Sequence, residues 1–205
     1  YNPKYILYVV DARQSLHFEG VFRIADMLGY TNNLEHIAFG TINGSDGKPF
    51  KTRSGETLKL DELINNTKEI FLSKREENKN MSSVDLDKIV NSIIKYADLQ
   101  NNREKSYNFD IAKFSEVSGK TGPYILYSAL RIRKILTTNT FNKGNVSDTI
   151  YNDIDKNLRL KLLDFNKYLD KAIEDRLPSV IAEYVYDLAD LLNSFYQNIN
   201  ISKIE

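Results

Sequence analysis

Between Gly44 and Gly55 the chain reads GSDGKPFKTRSG, and Lys48, Lys51 and Arg53 put three cations into six positions. Glycine turns expose backbone N–H groups, and such groups beside ammonium and guanidinium charges suit a phosphate. The stretch is not the phosphate loop in which Lys-Ser/Thr follows the second glycine. A solvated turn would carry the same residues, so both readings stay open at this level. His17 lies just beyond an apolar run, where ligands bind at the carboxyl ends of strands in open α/β sheets; a packed or capping histidine fits the position equally.

A second pattern follows Pro123. Tyr124, Tyr127, Arg131 and Lys134 recur at offsets of three, four and three, on one stripe of a helix. The spacing predicts Ile125, Ser128, Ala129, Ile132, Ile135 and Leu136 for the core face. No acid occurs from Val117 to Ser147, while Lys120, Arg131, Arg133, Lys134 and Lys143 do. Rings beside cations suit unpaired bases, which stack while phosphate is neutralised. The same stripe is what a helix packing its tyrosines on a neighbour would show, and that plainer reading has the edge. Near the end of the last apolar helix, Asn193 and Tyr196 are the RNA-contact candidates. Its predicted outer face of Glu183, Asp187 and Asp190 would repel phosphate and so suits bundle building.

Several elements must hold these residues. Tyr5 to Asp11, YILYVVD, predicts a strand buried on both faces. A helix follows, with Phe18, Val21, Phe22, Ile24, Ala25 and Leu28 near helical spacing and Gly29 as its stop. LEHIAFGTI predicts a second strand, and strand–helix–strand at this spacing makes a parallel βαβ unit. One such unit cannot cover both faces of its sheet, so further strands are expected before Tyr1. Helical patterns then dominate. Leu86, Ile89, Val90, Ile93, Ile94 and Ala97 form one stripe behind Ser82 and Ser83 as caps. The polar stretch from Asn101 to Gly122 predicts an inter-domain connection. Pro123 opens a helix, and two more run over about 154–174 and 178–197. SKREENKN, Ser73 to Asn80, predicts a solvated turn. The fold class is α/β, then all-α.

Composition narrows the chemistry. Lys+Arg 28 balance Asp+Glu 28, so any anion site is a local patch and not a global field. Cys 0 excludes disulfides and thiolate metal sites, and two histidines do not make a multi-histidine metal site; the metal expectation is none. No apolar run reaches the roughly 18 residues of a membrane span, so no membrane partner is expected. Tyr1 opens the sequence without a signal-like pattern, which predicts a piece of a longer polypeptide.

The order of five blocks is more specific than any one motif. YVVDARQSLHFEGVFRIADMLGY, LEHIAFGTINGSDGKPFKTRSGETLKLDEL, IIKYADLQNNREKSYNFD, TGPYILYSALRIRKIL and AEYVYDLADLLNSFY together resemble the carboxyl-terminal half of class I arginyl-tRNA synthetases. The resemblance covers nearly the whole chain. It implies the second part of a Rossmann-type catalytic domain (1–72) bearing the equivalent of the "KMSKS" loop. A helical connection (73–119) and a truncated α-helical anticodon-binding domain (120–205) follow. YSALRI, Tyr127 to Ile132, is similar to the motif for which that helical domain is named.

The implied reaction joins L-arginine to its tRNA in two steps. The carboxylate attacks the α-phosphorus of ATP, and the aminoacyl group then moves to the terminal ribose. Lys48, Lys51 and Arg53 would stabilise phosphoryl charge in the first step. His17, His36, Phe39 and Gly40 would hold ATP, partly through backbone groups. Gln14 would bind the substrate arginine, its carboxamide oxygen accepting from the guanidinium. Tyr124, Tyr127, Arg131, Lys134, Asn193 and Tyr196 would contact tRNA. ATP with Mg2+ is expected as a substrate complex, with no tightly bound cofactor, in a cytoplasmic enzyme. The "HIGH" signature is missing, so the chain alone is expected to be inactive. The alternatives are a tRNA-binding helical module without catalysis and a helical interaction scaffold.

Overall fold

The structure is a computed structural model that describes residues 3–44, 46–48, 59–74, 80–138, 149–150 and 152–199. The chain divides into two compact units, Tyr1–Leu58 with Asn101–Asp110, and Lys59–Gln100 with Ile111–Glu205.

In the first unit, strand β1 (Tyr5–Asp11) leads through a single 3₁₀ turn (Ala12–Gln14) into helix α1 (Ser15–Met27) and strand β2 (Asn33–Phe39). The strands pair in parallel from Tyr5 opposite Asn33 to Asp11 opposite Phe39. Gly29 has φ 81°; its N–H donates to the Asp26 carbonyl, and Tyr30 N–H reaches back to Ala25. Only a residue at ease with positive φ closes the helix this way. An aromatic cluster joins α1 to the sheet: Tyr8 lies 5.2 Å from Phe18 and 5.3 Å from Phe22. The β1 expectation needs correction, because Tyr5, Leu7 and Val9 are exposed. One face of the strand packs under α1 and the other has no cover among the described residues. The same holds for α1, where Phe18, Phe22 and Ala25 turn inward while Val21, Ile24 and Leu28 stay exposed.

The strand predicted through Ile42 breaks at Gly40. Strand β3 (Ile42–Asn43) pairs in parallel with β4 (Tyr107–Asn108). The segment predicted as a connection therefore returns to the first unit and adds a strand to it.

The second unit holds α2 (Leu60–Ser73), α3 (Ser83–Leu99), α4 (Ile111–Phe114), α5 (Gly122–Thr138), α6 (Asp153–Leu163), α7 (Phe165–Glu174) and α8 (Pro178–Asn198). Helix α2 thus packs with the helices that follow it. Ser82 caps α3, its hydroxyl accepting from Asp85 N–H at 3.2 Å. The predicted stripe of α3 supplies the core residues Val90, Ile93 and Ala97, joined by Phe71, Phe114, Ala182, Tyr184 and Ala189. Gly122 sets the approach of α5 to α3: a Cβ there would fall on the Ser92 carbonyl. The single helix predicted over 154–174 is two, interrupted at Asp164. No glycine or proline marks the break. It accompanies packing of Phe165 and Tyr168 on Tyr184 of α8, at 5.5 and 5.1 Å between ring centroids.

Candidate functional site

The carboxyl ends of β1 and β2 lie side by side, and Asp11 is the pivot of that edge. Its carboxylate accepts from Arg13 N–H at 2.8 Å and takes the guanidinium in a two-pronged grip, 2.9 Å from Nε and 2.8 Å from Nη2. These bonds hold its carboxyl at about 2, below the usual carboxylate range. The grip shapes the turn that ends at Gln14, whose side chain is exposed at the entry to α1. His17 is exposed one turn further on, its ring edge-on to Phe18 at 5.5 Å.

His36 is committed inside the unit. Its Nε2 lies 3.0 Å from the Val10 carbonyl, and a carbonyl only accepts, so Nε2 carries the proton. Its ring stacks on Phe18 at 4.8 Å. Phe39 closes β2 with 40% of its surface exposed, so its ring can meet a ligand. The Gly40 N–H donates to the Arg103 carbonyl at 2.7 Å, and a Cβ at Gly40 would sit 2.5 Å from the Lys105 backbone. Here glycine serves close backbone approach. Lys48 is exposed and closes a turn: Gly44 N–H donates to its carbonyl at 2.7 Å, and its own N–H donates to Asp46 Oδ1 at 3.0 Å. Lys51 and Arg53 lie outside the described residues.

In the second unit, Tyr124, Tyr127, Arg131, Asn193 and Tyr196 come together along the seam of α5 and α8. Arg131 Nη1 donates to Asn193 Oδ1 at 2.7 Å and Nη2 to the Tyr127 hydroxyl at 3.0 Å. Its guanidinium lies over two rings, 4.3 Å from the Tyr127 centroid and 5.1 Å from that of Tyr196. The amide nitrogen of Asn193 donates to Ser128 Oγ at 2.6 Å, and Ser128 in turn donates to the Tyr124 carbonyl at 2.9 Å. Tyr124 donates its hydroxyl to Asp190 at 3.1 Å, and burial pushes that hydroxyl's pKa up. The predicted faces of α5 are thereby corrected. Tyr124 and Arg131 face α8, while Ala129, Ile132 and Leu136, expected in the core, are exposed. A buried asparagine offering both an acceptor and a donor turns the polar stripe inward. Tyr127 and Tyr196 keep 48% and 40% of their surfaces open, and Lys134 is exposed on the next turn.

The expected acidic outer face of α8 is also largely neutralised. Asp187 takes Lys161 at 2.7 Å, and Glu183 meets Lys120 at 3.9 Å. Lys161 also donates to Tyr168 at 3.1 Å, and these bonds raise its pKa despite the opposing effect of burial. Sequence reasoning missed Asp11, Arg13, Arg103 and Lys161. An Asp-x-Arg at a strand end signals the first pair; the other two act over distances that no local pattern carries.

Comparison with known proteins gives this arrangement a family. Residues 2–111 match the model of the class I (R) tRNA synthetase catalytic domain, more than half of the chain. The chain belongs to the class I arginyl-tRNA synthetases. Residues 125–205 of this synthetase chain match the DALR anticodon binding domain, and Ser128 to Arg131 spell its motif with serine in the first place. An arginine–tRNA ligase of Alkaliphilus oremlandii is 41% identical over 211 residues, covering 98% of the chain and 36% of that protein. One from Francisella tularensis subsp. novicida is 40% identical over 215 residues, covering 100% and 37%. The chain thus spans about a third of the length of these relatives. The crystal structure of the Plasmodium falciparum arginyl-tRNA synthetase superposes with a TM-score of 0.78 at 27% identity, covering 100% of this chain and 36% of that one. The Thermus thermophilus enzyme shares the fold, with a TM-score of 0.79 at 23% identity over 95% of this chain and 33% of its own.

Proposed function

We propose that the chain is the part of an arginine–tRNA ligase that bears the phosphate-stabilising loop and the anticodon-binding helices. The observation that carries this reading is the succession of a class I arginyl catalytic match over 2–111 and an anticodon-binding match over 125–205. On this reading the parent activates L-arginine with ATP and transfers it to tRNA, in the cytoplasm. Mg2+ arrives with ATP as part of the substrate. Residues 1–72 carry the catalytic domain, the connection over 73–119 returns through 101–110 to add a strand to it, and 120–205 bind the anticodon arm.

The residues act as follows. Lys48, Lys51 and Arg53 offset the charge that develops on the phosphoryl oxygens and the leaving pyrophosphate. Phe39 and His17 offer exposed rings to the nucleotide. His36 and Gly40 shape the strand end from within, and Gln14 accepts from the substrate's guanidinium. In the helical unit, Tyr127 and Tyr196, both beside the Arg131 guanidinium, present stacking faces, with Tyr124 and Asn193 holding that arrangement and Lys134 meeting phosphate. The uncovered faces of β1 and α1 meet the remainder of the catalytic domain.

The test is arginine- and tRNA-dependent ATP–pyrophosphate exchange. The longer parent exchanges and the isolated chain does not; exchange by the isolated chain overturns the division of labour proposed here. A tRNA titration separates the two sites. Tyr127→Ala weakens binding by about 1–3 kcal/mol, the worth of one stacked base, while Lys51→Ala leaves it unchanged. No saturable tRNA binding would favour a helical scaffold.

A further inference from the structure

The segment after α3 does more than add a two-residue strand. It takes up the backbone groups around the end of β2 one after another. The Arg103 guanidinium donates to the Ala38 carbonyl, and the Arg103 carbonyl accepts from Gly40 N–H at 2.7 Å. Thr41 N–H donates to Ser106 Oγ at 3.0 Å, Tyr107 N–H to the Thr41 carbonyl at 3.1 Å, and Phe109 N–H to the Asn43 carbonyl at 2.7 Å. A local turn presents Arg103 for this purpose: Glu104 N–H donates to Asn102 Oδ1 at 2.9 Å, and Lys105 N–H to the Asn102 carbonyl at 3.0 Å.

Arg103 therefore binds the chain on both sides of Phe39, by side chain before it and by main chain after it. Its side chain is 18% exposed, and the neighbouring Glu104 carboxylate, 3.4 Å from Nη2, takes a further edge of the guanidinium. Phe39 stands opposite Asp11 at the carboxyl end of the sheet, and the Gly44–Lys48 turn leaves β3 only a few residues later. Without the guanidinium the Ala38 carbonyl loses its charged donor, and the peptide planes flanking Phe39 can rotate. A displacement of about 1 Å in a positioning element is enough to cost up to roughly a hundredfold in rate.

We propose that Arg103 is a positioning residue for nucleotide activation: it fixes Phe39 and the stem of the Gly44–Lys48 turn in register with the sheet edge, and it does so from the segment that follows α3. The proposal rests on the functional reading above and deepens it. Arg103 touches no reacting atom; it acts through Ala38, Phe39 and Gly40.

The experiment uses the full-length parent. Its own exchange activity tests the functional reading, and the ratio of variant to parent tests the role of Arg103. Arg103→Met lowers kcat/KM for ATP in pyrophosphate exchange at least about tenfold. The KM for arginine and the Kd for tRNA stay within about twofold, and Arg103→Lys recovers part of the loss because an ammonium can still donate to one carbonyl. A change in kcat/KM below about twofold overturns the proposal. So does an equal loss in ATP, arginine and tRNA parameters, which would mark a residue needed only for folding. Hydrogen exchange reads the clamp independently of activity. The amides of Gly40, Thr41, Tyr107 and Phe109 exchange about tenfold faster in Arg103→Met; unchanged protection sinks the idea even in a parent without activity.

Discussion

At the edge of the parallel sheet the central carboxylate is held by its own sequence neighbour, Arg13, two positions from Asp11. Along the α5–α8 seam the bonds that join the two helices span the fold. Arg131 meets Asn193 across 62 positions, Asn193 meets Ser128 across 65, and Tyr124 meets Asp190 across 66. A local grip forms whenever the turn forms. A long-range grip exists only when two helices are docked, so its partners report on folding and binding together. Perturbing the helical unit should therefore cost stability as well as tRNA affinity, whereas perturbing the Asp11 grip should change titration at little cost in stability.

The largest effect is expected at Gly122. Gly122→Ala drives a methyl group into the Ser92 carbonyl between α3 and α5, where overpacking costs about 3 kcal/mol. Urea unfolding measures this, and a loss below about 1 kcal/mol would show that the helices can part without harm. Next comes Asn193→Leu. It strips the buried acceptor from Arg131 and the donor from Ser128, at about 2–3 kcal/mol for unsatisfied buried groups. Both unfolding midpoint and tRNA affinity should fall. If affinity drops while stability holds, the asparagine is a direct RNA contact and not a brace for Arg131.

The pH response should divide the units in the same way. Tyr96 donates its hydroxyl to the Ala182 carbonyl at 3.2 Å, and burial foremost pushes its pKa up to about 12, aided by Tyr186, Asp187 and Glu183. Its folded value exceeds its unfolded one, so its contribution is complete below about pH 10 and is lost as pH rises toward 12. The ring is only half buried, and solvent screening reduces the effect to about 1 kcal/mol. Unfolding followed between pH 9 and 12 should show that decline, and Tyr96→Phe should flatten it. The smallest effect belongs to Asp11. Its folded value is depressed, so any contribution is present above the ordinary carboxylate value and vanishes as pH falls through about 2. NMR titration should find the midpoint there, and Arg13→Ala should return it to roughly 3.9. An unchanged midpoint in that variant would dissolve the contrast between local and long-range grips.

Much was legible from pattern alone. The βαβ unit, the stop at Gly29, the core stripe of α3 and the start of α8 at Pro178 all follow from local rules of spacing, capping and backbone freedom. The cluster of Tyr124, Tyr127, Arg131, Asn193 and Tyr196 was legible as a set of residues but not as an arrangement. Counting apolar positions put Ala129, Ile132 and Leu136 inside, because hydrophobicity was the only burial signal available along one helix. Asn193, on another helix, reverses the choice by offering Arg131 a better partner than water.

What the sequence determined by itself were the periodic and capped elements, the cationic stretch from Lys48 to Arg53, and the family, since these depend on residues close together or in fixed order along the chain. Tertiary structure alone decided the rest. It chose which face of α5 turns inward, split the helix at Asp164, and folded Arg103 back onto Ala38 and Gly40. Each of those outcomes comes from satisfying buried polar groups and packing rings against partners tens of residues away, and a one-dimensional pattern carries no record of such partners.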